Sequence, residues 1–166
     1  MIDTDKLSMR FSVRAMNDLD ADEILGLCLE NTQYYEYCGK QPSKELILND
    51  LHVTPPGIEP SRKHYIGFFE GGVLMAIMDL IDGYPDSEHC FIGFFMMNRR
   101  FQGNNLGSAI IGEVCGYLRE AGYKAVMLGI DKDNPQSNHF WKKNGFLVIR
   151  QVEQDAGTIL VAEKKL

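Results

Sequence analysis

Arg100-Phe101-Gln102-Gly103-Asn104-Asn105-Leu106-Gly107-Ser108-Ala109 lies between an apolar run, Cys90 to Met97, and a segment with apolar residues at helical spacing, Leu106 to Ala121. A strand that turns through glycine and asparagine into a helix leaves several backbone N–H groups unpaired at the helix start. The helix dipole adds partial positive charge at the same place, so this turn is built to receive an anion such as a phosphate. Gly107 and Ala109 are small enough to let a ligand approach the first helical turn closely. The spacing excludes the two commonest phosphate loops. The chain has no Gly-x-x-x-x-Gly-Lys-Ser/Thr, and no Gly-x-Gly-x-x-Gly follows a first strand.

A second informative segment is Asn134-Pro135-Gln136-Ser137-Asn138-His139-Phe140-Trp141-Lys142-Lys143-Asn144-Gly145-Phe146. It reads as a short helix with Asn134 just before it, an aromatic pair inside it (Phe140, Trp141), and Gly145 as the stop before a strand. One helix and one strand (Ala125 to Ile130) separate the two segments.

Gln102-x-x-Asn105-x-Gly107 resembles the Arg/Gln-x-x-Gly-x-Gly/Ala loop of the GCN5-related N-acetyltransferases (GNAT superfamily), which grips the pyrophosphate of acetyl-CoA with backbone amides. Asn105 stands where the family has its first motif glycine, and asparagine is one of the non-glycine residues that best tolerate positive φ. The downstream segment is similar to the family's Asn, aromatic helix and Gly-Phe, in the same order. The resemblance covers Gly67 to Arg150 and implies an α/β (α+β) fold. The fold it implies is a single GNAT-like domain over residues 1–166, with a mixed, mostly antiparallel sheet that splays open in a V and helices on both faces.

The resemblance further implies acetyl-CoA as cosubstrate. Backbone groups at Phe95, Met96 and Met97 would hold the pantetheine arm, and Gln102, Gly103, Asn104, Asn105, Leu106, Gly107 and Ser108 the pyrophosphate. Asn134, Ser137, Phe140 and Trp141 would complete the site, with Asn134 either capping its helix or bonding pantetheine. The reaction implied is N-acetylation by direct attack of a primary amine of a small molecule or peptide on the thioester, with no covalent enzyme intermediate. The alternative is a module on the same fold that binds or senses acyl-CoA without catalysis.

Trp141 occupies the position of the family's general-acid tyrosine, and an indole N–H is not acidic at neutral pH. It therefore either walls the site or fills core. The strand Cys90 to Met97 lacks the usual carboxylate base and has Gly93 instead. Glu88 and His89, just upstream, are the catalytic candidates, with Asp79 and Asp82 closing the preceding strand. For the acceptor, the loop Thr32 to Gln41 offers Tyr34, Tyr35, Glu36 and Tyr37, and the turn Asp82 to Glu88 offers Tyr84.

Composition sets outer bounds. The chain has 166 residues, 45% hydrophobic and 24% charged, enough for one buried core. No apolar run reaches membrane-spanning length, and the polar N-terminus does not read as a signal peptide. The four cysteines (Cys28, Cys38, Cys90, Cys115) lack metal-ligand spacing, so no metal is expected. Free thiols point to a reducing, cytoplasmic setting. Seventeen basic against 23 acidic residues argue against nucleic acid and suit a cationic acceptor.

The remaining pattern gives a strand over Met9 to Ala15, helices over Asp18 to Asn31 and Lys44 to Leu51, and a hairpin of His64 to Phe69 and Val73 to Ile81 about Gly71-Gly72. Phe146 to Val152 and Thr158 to Glu163 form a closing pair, the last strand exposed. Family habit allows a homodimer through that closing strand.

Overall fold

A computed structural model describes residues 2–166 and contains one seven-stranded sheet. Strands β1 (Ser12–Ala15), β2 (Lys63–Glu70), β3 (Val73–Asp82) and β4 (His89–Met97) are antiparallel neighbours in chain order. β5 (Ala125–Asp131) joins β4 in parallel. The sheet then ends with a hairpin, β6 (Leu147–Gln154) and β7 (Gly157–Lys165), of which β7 is the strand paired to β5.

Each face of the sheet has its own apolar core. On one face α1 (Ala21–Leu29), α2 (Thr32–Cys38) and α3 (Lys44–His52) bury Ile24, Leu27, Tyr35, Ile47 and Leu51 against Tyr65, Leu74, Ile77 and Met96. On the other, α4 (Leu106–Glu120) and α5 (Pro135–Lys143) pack on Met75, Met78, Leu80, Val126 and Leu128. The burial of Ile110, Ile111, Val114, Cys115 and Leu118 follows the helical repeat of α4, as the sequence pattern predicts. The sheet is thus mixed and mostly antiparallel, with helices on both faces.

Three expectations differ from the structure. The first strand starts at Ser12 rather than Met9, because the Ser8 hydroxyl accepts from the N–H groups of Arg10 and Phe11 and folds 8–11 into a turn. Thr32 to Gln41 is not a loop: Thr32–Cys38 is helical, giving three helices between β1 and β2 where two were expected. Nothing breaks a helix there before Gly39, and burial of Tyr35 in the core fixes the segment. The closing strand β7 is not exposed, since the hairpin turns back and inserts it between β5 and β6. The exposed edge is β6, with Leu147, Val148 and Ile149 open to solvent.

The site is created by how β4 and β5 part. Their parallel pairing runs only from His89↔Ala125 to Ile92↔Leu128. Beyond it β4 stays with β3 as far as Met97, and β5 stays with β7 as far as Asp131. A register shift marks the divergence: Leu80 faces Ile92 and Asp79 faces Phe94, so Gly93 is the extra residue of a bulge. A bulge bends its strand and increases the local twist, which turns the end of β4 away from β5.

Candidate active site

The gap between the two strands opens a cleft of about 720 Å³, of the size that holds a small-molecule ligand. Its floor is Gly93 to Met97 of β4 together with Leu128 and Gly129 of β5. One wall is the loop from Arg99 to Ser108 and the start of α4, another is α5, and the third is the α1–α2 turn with Tyr34 and Glu36.

The loop has the conformation an anion cradle needs. Asn105 adopts φ 58° and ψ 9°, the left-handed geometry that the motif glycine would take, so the asparagine departure preserves the backbone path. It is the single described residue other than glycine with positive φ. The first bond of α4 runs from the Ala109 N–H to the Asn105 carbonyl, which leaves the N–H groups of Leu106, Gly107 and Ser108 at the helix start. Gly107 also lets α4 approach α5, since a Cβ there would lie 3.2 Å from the Phe140 ring and 3.4 Å from Met97. Gln102 points inward instead: its Nε2 donates to Asn31 Oδ1 (2.7 Å) and to the Met97 carbonyl (3.1 Å), tying the loop to the α1–α2 turn. Asn104 lies outside the cleft lining.

On the α5 side, the Asn134 side chain is buried and accepts from the Ser137 N–H, so it caps the helix. Phe140 stacks on Phe95 with centroids 5.8 Å apart and planes 19° from parallel. Trp141 packs edge-on against Phe140 and Phe146. It is 7% exposed and belongs to the core while still bordering the cleft. Phe95, Met96, Met97, Gln102, Gly103, Asn105, Leu106, Gly107, Ser108, Asn134, Ser137, Phe140 and Trp141 all line this one cleft.

The acceptor-side candidates divide. Tyr34 and Glu36 line the cleft, and Tyr34 meets Phe94 edge-on at 5.5 Å. Burial raises the Tyr34 hydroxyl far above its ordinary value, so it stays protonated at neutral pH. Tyr35 is turned into the helical core, because neighbours on a helix point about 100° apart and only one of the pair can face the cleft. Tyr37 lies outside the lining. Tyr84 packs on Phe91 and borders a separate, smaller hollow with Arg150 and Val152.

Glu88 and His89 stand at the wrong end of β4. Phe95 is about 20 Å along the strand from His89 at about 3.3 Å per residue. Glu88 is exposed, and His89 Nδ1 bonds Asp86 at 2.6 Å, so neither reaches the cleft. The strand periodicity could not show this, since it marks a strand without saying at which end its partner leaves.

Sequence reasoning also missed residues that the fold brings in. Asn31 donates from Nδ2 to the Met97 carbonyl (3.1 Å), and Lys143 Nζ lies 2.6 Å from Asn105 Oδ1. Arg99 and Lys143 give the loop side positive charge, while Glu30 and Glu36 give the α1–α2 side negative charge. The sequence carries the basic pairs Arg99-Arg100 and Lys142-Lys143 far apart along the chain, with nothing local to show that they converge.

Burial pushes the Cys28 thiol up to about 11 and Cys90 up to about 12, and all four cysteines are unpaired. Among the described residues no cluster of His, Cys, Asp and Glu is placed to hold a metal ion, and no helix is long and apolar enough to cross a membrane.

A splayed sheet with an amide-lined loop at the mouth of the splay defines a class of acyl-CoA enzymes. A sequence profile of the Acetyltransferase (GNAT) family matches residues 24–146, and the chain belongs to that family. The family transfers acetyl groups from acyl-CoA to amine acceptors such as peptides or small molecules. Among solved structures the fold is similar to an acetyltransferase from Thermus thermophilus (21% identity, TM-score 0.76, covering 94% of this chain and 97% of that one). It is also similar to the PaiA N-acetyltransferase from Thermoplasma acidophilum in complex with coenzyme A (18%, TM-score 0.67, 95% and 100%). A third is a spermidine N-acetyltransferase SpeG chimera from Vibrio cholerae and hSSAT (14%, TM-score 0.70, 93% and 95%). Among proteins of curated function none matches this chain in sequence.

Proposed function

We propose that residues 1–166 form one acetyl-CoA-dependent N-acetyltransferase domain that acetylates a primary amine of a small molecule or peptide by direct attack on the thioester. The observation that carries the reading is the left-handed Asn105 at the mouth of the β4–β5 splay, with the N–H groups of Leu106, Gly107 and Ser108 beside it. The backbone from Gly103 to Ser108 suits the pyrophosphate, with Lys143 and Arg99 adding positive charge. Phe140 and Phe95 would wall the pantetheine arm, which lies along Phe95 to Met97 where β4 has lost its β5 partner. The fold similarity to a coenzyme A complex supports this placement.

The acceptor then enters from the opposite face, past Tyr34, Glu36 and Phe94. Glu30 and Glu36 favour a cation there, and the spermidine acetyltransferase on the same fold agrees with an amine of that kind. The four free thiols support a reducing, cytoplasmic setting.

Calorimetric titration with acetyl-CoA and desulfo-CoA tests the donor site, and release of free thiol from acetyl-CoA with a panel of amines tests the reaction. One saturable site per chain and amine-dependent thiol release are expected. Binding without turnover for any amine would leave the acyl-CoA-sensing reading, which the buried Trp141 in the general-acid position favours. No binding at all would defeat both.

A further inference from the structure

A buried ion pair sits on the acceptor side of the bulge. Lys63 of β2 and Asp79 of β3 meet at 2.6 Å, with side chains 4% and 15% exposed. Burying such a pair costs more desolvation than its attraction returns unless further hydrogen bonds complete it. Here they do not. Asp79 Oδ1 is buried without a partner, and so is the hydroxyl of Tyr65, the residue directly opposite Asp79 in the β2–β3 register. A carboxylate has room for about four hydrogen bonds, and this one accepts a single bond, from Lys63. Unsatisfied buried groups are scarce in native proteins, and two side by side call for a functional cause.

The position of Asp79 supplies one. A Cβ at Gly93 would lie 2.8 Å from Asp79 Oδ2, so the carboxyl sits directly behind the glycine of the bulge. Gly93 is exposed and lines the cleft at the point where β4 and β5 part. A side chain at 93 would crowd and screen the carboxylate, and with glycine its Lys63-bonded Oδ2 lies just behind the cleft floor. Phe94, which faces Asp79 across β3–β4, meets Tyr34 on the same acceptor side. The ionisable groups on this face are Lys63 and Tyr65 of β2, Asp50 of α3, Tyr34 of α2, Cys28 of α1 and Lys40, whose charge acts on Asp50 together with that of Lys63. Of the two ammoniums only Lys63 bonds Asp79.

We propose that Asp79 is the acceptor-side carboxylate of this enzyme: it receives the ammonium of the primary amine through the Gly93 gap and takes its proton. The inference rests on the acetyl-transfer reading above and names a catalytic group for it. One proton passes from the ammonium to Asp79 and onward to solvent, freeing the nitrogen lone pair. That pair forms the N–C bond at the thioester carbonyl, the C–S bond breaks, and the electron pair leaves on sulfur. The second proton shed by nitrogen goes to the thiolate, giving amide and free thiol. Desolvation raises the Asp79 carboxyl above the usual carboxylate range, which brings it nearer the pH at which a base works best.

The test uses carboxyl-13C-aspartate protein titrated with putrescine as the probe, with the Asp79 resonance assigned by its loss in Asp79→Asn. A shift of that resonance in the wild type, absent in Gly93→Ala, is expected. With the best amine of the panel, Asp79→Asn should lower kcat by at least about 100-fold, the usual range for removing a general base. It should also abolish the acid limb of the kcat/KM profile, while coenzyme A affinity stays within about twofold in calorimetry. Asp79→Glu should restore part of the rate. Asp79→Asn strands Lys63 and is at risk of misfolding. Gly93→Ala retains both charged residues but places a methyl 2.8 Å from Asp79 Oδ2, so the carboxylate must shift behind it; it should lower kcat/KM for the amine at unchanged coenzyme A affinity.

A resonance unmoved by putrescine, or a folded Asp79→Asn protein with its acid limb intact, would overturn the proposal. In that case turnover by the wild type would leave the acetyltransferase reading standing. Loss of coenzyme A binding by the wild type would defeat that reading without touching the titration.

Discussion

Replacing Asn105 separates two contributions that the structure superposes at one residue. Its backbone is left-handed (φ 58°), and its side-chain oxygen receives Lys143 Nζ at 2.6 Å. Asn105→Gly removes the side-chain contact and keeps the backbone free to turn. Asn105→Ala removes the contact and also places a Cβ where L-residues are disfavoured by about 1–2 kcal/mol. The Lys143 contact is exposed, and surface contacts of that kind contribute about 0–1 kcal/mol. Asn105→Gly should therefore unfold in urea within about 1 kcal/mol of the parent. Asn105→Ala should fall about 1–2 kcal/mol below Asn105→Gly, a difference of about 2–8 °C in melting temperature for a domain of this size.

The same strain opposes the loop geometry proposed to receive the pyrophosphate. If the alanine variant relieves it by leaving that geometry when free, coenzyme A binding must restore it. Whatever part of that energy is relieved is then missing from the urea difference and appears in binding, as a rise in the dissociation constant of up to about 5- to 30-fold relative to Asn105→Gly. Urea titration gives the first number and calorimetry the second. Glycine and alanine variants that coincide in both assays would refute the argument that left-handed backbone at Asn105 builds the cradle.

Three further outcomes are expected. Gln102→Ala removes the hydrogen bonds to Asn31 and to the Met97 carbonyl, and should cost about 1–3 kcal/mol in urea unfolding at about 0.5–1.5 kcal/mol each. Adding Asn31→Ala should then cost less than the sum of the single changes, and strict additivity would show that the two residues do not act as one tie. Phe140→Ala should destabilise by about 3 kcal/mol, the low end for phenylalanine because the ring is only partly buried, and should weaken coenzyme A binding. An unchanged dissociation constant would remove Phe140 from the binding wall. Asp20 completes a capping box with Asn17 and bonds Arg14 at 2.8 Å, and the Arg14 bond holds its carboxyl below the ordinary value. A carboxyl depressed by folding contributes stability that is complete above its unfolded pKa of about 3.9 and fades as pH falls through the folded value. Asp20→Asn should thus lower stability by about 0.5–2 kcal/mol at neutral pH, with the gap to the parent closing below about pH 4. A gap independent of pH would show that Asp20 acts through its shape alone.

The strand, Gly-Asn turn and helix start with free N–H groups were legible in the sequence because they are local. Strand, Gly-Asn turn and helix start follow one another between Cys90 and Ala121, and a helix N-terminus presents free N–H groups wherever it occurs. The α5 segment was legible for the same reason: Asn134, Phe140 and Gly145 each act within a turn or two of their own position. Helical spacing in α4 and the Gly71-Gly72 hairpin likewise depend on near neighbours. The resemblance to a known family supplied the order of elements and the expectation of a splay, which no local pattern contains.

What only the tertiary structure decided are the relations between distant segments. Glu88 and His89 read as well-placed polar residues beside an apolar strand, yet β5 leaves β4 at its other end, so the cleft opens far from them. Thr32–Cys38 became helix because Tyr35 found a core, and that burial put Tyr35 in the interior while Tyr34 and Glu36 face the cleft and Tyr37 lies outside its lining. The Asp79 carboxylate lies directly behind the cleft floor because a bulge in the neighbouring strand leaves Gly93, with no side chain, in front of it. A register shift depends on the pairing of two strands, and a sequence read along one chain carries local periodicity but not the partner against which that periodicity slips.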